Sequence, residues 1–146
     1  MKTYITALLI SILFLSGCSS EFTKSFEKKG DMESLVVQKV VNGETSSSRA
    51  KTVTDPDTIA EILQKGEGLG AKTITGEEAE GKKTAASSYY TFRSYSTSET
   101  PVYSIVVLED GTFLVEGTKK DSGIMMTTDT HEILLDDMKQ LADVNF

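Results

Sequence analysis

An α+β domain, with an antiparallel sheet of about four to six strands and two helices packed on one face, is the fold class this chain predicts. Two observations lead there. Short β-branched or alternating segments recur with Asn-Gly or Asp-Gly pairs beside them, the mark of antiparallel hairpins. One proline-led stretch and one C-terminal stretch instead place apolar residues at helical spacing. The resulting order is hairpin, helix, three or four antiparallel strands, helix.

The first strand is expected at residues 35–41, a β-branched run closed by Asn42-Gly43, a favoured tight-turn pair. Its partner is residues 49–53, with Thr45-Ser46-Ser47-Ser48 leaving the register open. At Thr54-Asp55-Pro56-Asp57 the signals change to those of a helix start: a side-chain cap, a proline suited to the first turn and an early carboxylate. Ile59, Ile62 and Leu63 mark its apolar face, and Lys65 followed by Gly66 supplies a basic last turn and a left-handed stop. The helix therefore spans residues 56–65.

Residues 67–86 have almost no apolar periodicity and are rich in Gly, Thr, Glu and Lys, which predicts a long mobile loop around a short strand at 72–75. Alternation returns over residues 88–95, with Tyr90 and Phe92 on one face and Tyr89, Arg93 and Tyr95 on the other. Residues 102–108 are apolar on both faces, as in a central strand, and Glu109-Asp110-Gly111-Thr112 turns them into a strand at 113–116. A second turn at 117–123 leads to a strand at 124–127. Asp129 with Glu132 three residues later has the pattern of a capping box, and Leu134, Met138, Leu141 and Ala142 form one stripe, so a second helix is expected over residues 130–142.

The N-terminus carries a different message. Lys2 is a positive tip, residues 4–15 are an apolar run too short to cross a bilayer as a permanent helix, and Leu15-Ser16-Gly17-Cys18 follows. This resembles a bacterial lipoprotein signal peptide with its lipobox. The resemblance implies cleavage before Cys18, a diacylglycerol on the Cys18 sulfur and an amide-linked acyl chain of the palmitate kind. One acyl chain binds a membrane marginally and a second makes the anchor lasting. The organisation expected is residues 1–17 as a cleaved signal peptide, 18–33 as the lipidated cysteine and a flexible tether, and 34–146 as a single α+β domain. Phe22 and Phe26, four apart in the tether, could alternatively form one helical turn touching the lipid interface.

Cys18 is the only cysteine, so neither disulfides nor cysteine-type zinc sites can hold the domain together. A hydrophobic core must do so, and a mature chain of roughly 130 residues is long enough to build one. The formal charge of −7 becomes −8 when residues 1–17, whose only charged side chain is Lys2, are removed. That sign disfavours nucleic acid and anionic headgroups as partners.

Candidate chemistry is sparse. His131 is the single histidine and falls in the first turn of a helix, where the dipole disfavours its protonated form, so an exposed structural role is expected. No Gly-x-Ser-x-Gly elbow or Ser-x-x-Lys pair occurs in the mature chain. Gly66-Glu67-Gly68-Leu69-Gly70 follows a helix instead of joining a strand to one, and Glu67 would repel phosphate. Glu77, Glu78 and Glu80, with Asp55 and Asp57, lack the spacing of a calcium loop, and Asp136-Asp137 lies on adjacent faces of a helix. No catalytic residue, cofactor or metal site is expected.

The one surface that stands out is Tyr89, Arg93 and Tyr95 on a single strand face, where aromatic and guanidinium groups suit contact with protein, peptide or glycan, and where cross-strand packing is the plain alternative. The chain as a whole resembles small lipoproteins of Gram-positive, Bacillus-like bacteria. That resemblance implies a lipid-anchored place on the extracytoplasmic face of the cell membrane. The function expected is a non-enzymatic interaction or modulator domain acting on an envelope protein through the sheet and the long loop. The alternative is an accessory lipoprotein that binds a small molecule or cell-wall fragment.

Overall fold

The computed structural model describes residues 20–21, 26, 28–116 and 123–146. The expected signal peptide and Cys18 lie outside the described residues. Eight strands form one antiparallel sheet: β1 (Ser20–Glu21), β2 (Ser34–Val41), β3 (Ala50–Val53), β4 (Gly70–Ile74), β5 (Ser88–Tyr95), β6 (Tyr103–Leu108), β7 (Phe113–Glu116) and β8 (Ile124–Thr127). Their spatial order is β1-β4-β8-β7-β6-β5-β2-β3. Among the described residues three α-helices complete the α+β fold: α1 (Pro56–Lys65), α2 (Gly76–Ala85) and α3 (Glu132–Leu141).

Alternation along the strands divides the core in two. On one face Leu35, Val37, Phe92, Ile105, Val107, Phe113 and Val115 meet Ile59, Ile62 and Leu63 of α1 and Leu135 and Met138 of α3. On the other face Ile74, Val106, Leu108, Leu114 and Met126 meet Ala79 of α2. β6 is buried on both faces at Val106 and Val107, as its continuous apolar sequence requires. The sheet is larger than the expected four to six strands, and the expectation of two helices on one face holds only for α1 and α3.

The local reasons for these elements are visible at their ends. Asn42 and Gly43 both take positive φ, 50° and 78°, the geometry of the hairpin turn that matches strand twist, and Val41 and Glu44 exchange both backbone hydrogen bonds across it. β3 then pairs with β2 from Leu35↔Val53 to Gln38↔Ala50, which settles the register after an excursion through residues 45–49. In α1 the Asp55 carboxylate accepts from the Thr58 amide at 2.9 Å, with Pro56 in the first turn. The helix ends at Lys65, but Gly66 keeps a right-handed φ of −84°, and the left-handed residue is Gly68 at 73°.

Residues 67–86 are not a long mobile loop. They hold β4 and α2, and α2 is a helix without an apolar stripe. Thr75 caps it by accepting from the Glu78 amide at 3.1 Å, Glu77 and Glu78 occupy its first turn, and Lys82 and Lys83 its last, so each end opposes the helix dipole. Lys83 pairs with Glu80 in the same helix and reaches Glu116 on β7 at 3.8 Å, which fastens α2 to the sheet beside Ala79.

The stretch expected as a tether is also built into the domain at residue 26 and from residue 28 onward. Phe26 is 1% exposed and meets the Tyr103 ring edge-to-face at 5.2 Å, so it serves the core rather than a lipid interface. The Lys28 amide donates to the Tyr103 hydroxyl at 3.1 Å, Lys29 pairs with Glu67, and Met32 is buried. Upstream, β1 pairs with β4 through Ser20↔Ala71 and Glu21↔Gly70.

Candidate interaction face of the sheet

Tyr89, Arg93 and Tyr95 lie on the face of β5 opposite α1 and α3, as the alternation requires, because Tyr90 and Phe92 point into the core beneath those helices. α2 covers the β4-β8-β7-β6 part of this face and stops at Tyr89, which packs at the margin of its cluster. Beyond that margin the face continues through β5, β2 and β3. Cross-strand pairing places Gln38 beside Thr91, Val36 beside Arg93, and Thr52 beside Val36.

Arg93 is exposed, and its guanidinium makes no hydrogen bond or ion pair among the described residues. Tyr89 and Tyr95 are half-buried. Thr91, between Tyr89 and Arg93 on the same face, is 3% exposed, and its hydroxyl has no partner among the described residues. The arrangement is thus a strip with rigid aromatic ends, one solvated cation and a polar floor. Such a strip can take a carboxylate in bidentate fashion on Arg93 while the rings supply contact area.

A cleft of about 460 Å³ adjoins the strip at its Tyr89 end, between the Asn42-Gly43 turn and the last turn of α2, where Lys83, Thr84 and Ala86 line it. Its size is within the range of small-ligand sites.

The other residues weighed in the sequence fall elsewhere. His131 is half-buried and precedes α3 without a side-chain cap; its ring meets Phe113 edge-to-face at 6.1 Å, and its Nε2 is buried without a partner. The expected capping box is not formed: α3 begins at Glu132, and among the described residues the Asp129 carboxylate accepts from the neighbouring Thr128 hydroxyl alone, at 3.4 Å. Asp55, Asp57, Glu77, Glu78 and Glu80 are solvated, and Asp137 pairs with Lys65 at 3.4 Å. Among the described residues no three His, Cys, Asp or Glu side chains gather where they could hold a metal ion. None of the helices among the described residues is long and apolar enough to cross a membrane.

The sequence alternation located the strip, but it missed α2, the element that decides how much of the strip stays open. Thr75-x-x-Glu78 was the available signal for that helix, with glutamates ahead of lysines along it. Comparison with protein-family models, curated proteins and solved structures finds no match to this chain.

Proposed function

We propose that this chain is a lipid-anchored, extracytoplasmic interaction domain without enzymatic activity, which binds an envelope protein through the open half of its sheet. The supporting observation is the unpaired Arg93 guanidinium, exposed between Tyr89 and Tyr95 where α2 ends. Isolated cations on a surface are common, but this one projects from an internal strand of the sheet, with Tyr95 two residues along the same face and Tyr89 at its other end, so the backbone that presents all three is already ordered. The Cys18 anchor, read from its lipobox, makes a modest contact sufficient by confining the domain near membrane partners.

In-cell cross-linking of the lipidated protein followed by mass spectrometry tests this reading, with Cys18→Ala and Arg93→Glu as controls. One dominant envelope partner, lost in both controls, is the expected result. An unchanged partner set in Arg93→Glu, with the fold intact by circular dichroism, would overturn the assignment of the face. A second reading, capture of a small molecule or wall fragment, is favoured only by the cleft beside Tyr89 and Lys83. Under it, a wall-fragment panel would raise the melting temperature, and Tyr89→Ala would abolish the rise.

A further inference from the structure

A helix that covers an apolar surface normally brings an apolar face of its own. α1 buries Ile59, Ile62 and Leu63 and α3 buries Leu135 and Met138, whereas α2 buries Ala79 alone. Yet the floor on its side of the sheet is made of large apolar side chains: Ile74, Val106, Leu108, Leu114 and Met126 are each no more than 7% exposed. Cover and floor do not match in chemistry. The other fastening is electrostatic, through Lys83 to Glu116.

The helix is also weak in itself and slackly tied. Gly76 and Gly81 fall within it, and a β-carbon at either would meet nothing within 4 Å, so no close approach requires them. Glycine inside a helix weakens it relative to alanine. The connection runs from Ile74 on β4 to Ser88 on β5, across β8, β7 and β6. The row of Ile74 meets β5 at Arg93, so the diagonal to Ser88 is ~25 Å. Residues 75–87, extended, would span ~40 Å. α2 can therefore lift while both flanking strands stay paired.

Floor and open strip are one continuous surface. The row Lys72, Met126, Leu114 and Val106 runs on to Thr91, Ser104 stands beside Arg93, and Leu108 beside Tyr89. Among the described residues, the charged side chains that β2 to β8 present on this face are Glu116 within the floor and Lys72 and Arg93 at its two borders. Both border cations are exposed and have no ion pair among the described residues.

We propose that α2 is a displaceable cover, and that the floor beneath it receives an amphipathic helix of the partner, apolar along one face and carrying carboxylates at its ends for Arg93 and Lys72. This deepens the reading of the sheet as an interaction face and rests on it. A leucine-bearing helix supplies the apolar stripe that α2 lacks. Its carboxylates belong at the borders, because Glu116 loses Lys83 when α2 lifts and repels a second anion in mid-floor. Lys72 and Arg93 stand four strand spacings apart, ~19 Å, which a helix of about four turns spans. The strip from Tyr89 to Tyr95, open throughout, is where such a partner lands first.

The test is pulsed thiol alkylation of the full chain in detergent, with peptide mass spectrometry assigning label to position. Val106→Cys places a thiol in the floor and Val107→Cys one under α1 and α3; the native side chains are 4% and 0% exposed on one strand. Lifting of α2 exposes the first alone, and global unfolding exposes both. Position 106 should label at least about tenfold faster than 107, and Gly81→Ala should slow it about fivefold. A peptide of about four turns, with leucines at helical spacing and glutamate at each end, should protect position 106 about tenfold and speed amide exchange in α2. Lysine in place of its glutamates, or Arg93→Glu in the protein, should remove most of that protection.

Equal rates at 106 and 107 would overturn the cover, as would a rate at 106 that Gly81→Ala leaves unchanged. Fast labelling that neither peptide slows would overturn the helical occupant. Protection that grows with protein concentration in the absence of peptide would assign the floor to a second copy, against the proposal. Failure of Arg93-dependent cross-linking in cells is a separate result: it overturns the underlying reading and leaves the labelling rates as they are.

Discussion

The amide of His131 donates to the carbonyl of Gly111 at 2.8 Å, and at Gly111 there is no room for a side chain. A β-carbon there would lie 2.3 Å from the Glu132 amide nitrogen and 2.5 Å from the carbonyl carbon of His131. Gly111 also holds φ at 80°, where an L-residue is strained. The β6–β7 turn is thus the seat on which the start of α3 rests. This substitutes for the missing side-chain cap, since His131 presents none and the α3 amides begin against the turn backbone.

Gly111→Ala is accordingly expected to be costly. The left-handed backbone alone accounts for about 1–2 kcal/mol, and because the clash is with backbone, α3 has to shift as a body to relieve it. Urea denaturation should show a lower midpoint with an unchanged slope, and loss of the edge-to-face contact between Phe113 and His131 should appear in their NMR shifts. A variant as stable as the parent would show that α3 is seated by its apolar face alone.

What could be read from residues and what could not divides along physical lines. α1 was legible to the residue because Asp55, Pro56 and Lys65 act locally, within one turn of the ends they define. The Asp110-Gly111 hairpin was legible for the same reason, and Tyr89, Arg93 and Tyr95 share a face because strand alternation is a local rule. The docking of Phe26 was not legible: an isolated aromatic in a polar stretch acquires its meaning only from Tyr103, far along the chain. α2 escaped because periodicity was the signal sought, and this helix buries Ala79 alone. The two helix caps failed in opposite ways: Thr75 is a cap that lacked an apolar run behind it, while Asp129 had the run but lies short of a helix seated by Gly111.

The thin attachment of α2 has a dynamic consequence. α1 buries Ile59, Ile62 and Leu63, and α3 buries Leu135 and Met138, whereas α2 has one buried methyl and the Lys83 ion pairs to hold it down. Partly exposed ion pairs contribute little, on the order of 0–1 kcal/mol each. Hydrogen exchange should therefore find α2 the least protected of the three helices, opening by local release while the sheet stays closed. Raising the salt concentration should speed its exchange further by screening Lys83 from Glu116. Uniform protection across all three helices would mean that Ala79 and its neighbours pack more firmly than their area implies. Release of α2 matters for the interaction face, since it would widen the open half of the sheet past Tyr89.

Two exposed carboxylates set the expected response to acid. The hydroxyl and amide of Thr58 hold the Asp55 carboxyl below the usual carboxylate range, and the Lys51 ammonium does the same to Asp143, which it contacts at 2.6 Å. A group whose pKa is depressed by folding stabilises the native state at pH values above its unfolded value, near 3.9, and loses that contribution as the pH falls through its lower native value. The chain should therefore be stable and nearly pH-independent from these two groups above about pH 5, and lose stability progressively below about pH 4. Asparagine fits both positions: it caps helices as well as aspartate does, and it tolerates the left-handed backbone that Asp143 adopts at φ 52°. The Lys51 ammonium also donates to the Asp143 carbonyl at 2.7 Å, a bond the substitution leaves in place. Asp55→Asn with Asp143→Asn should thus flatten the acid limb of a melting-temperature profile, with only a small change at neutral pH. An acid limb of undiminished slope in the double variant would overturn the assignment of the pH dependence to Asp55 and Asp143.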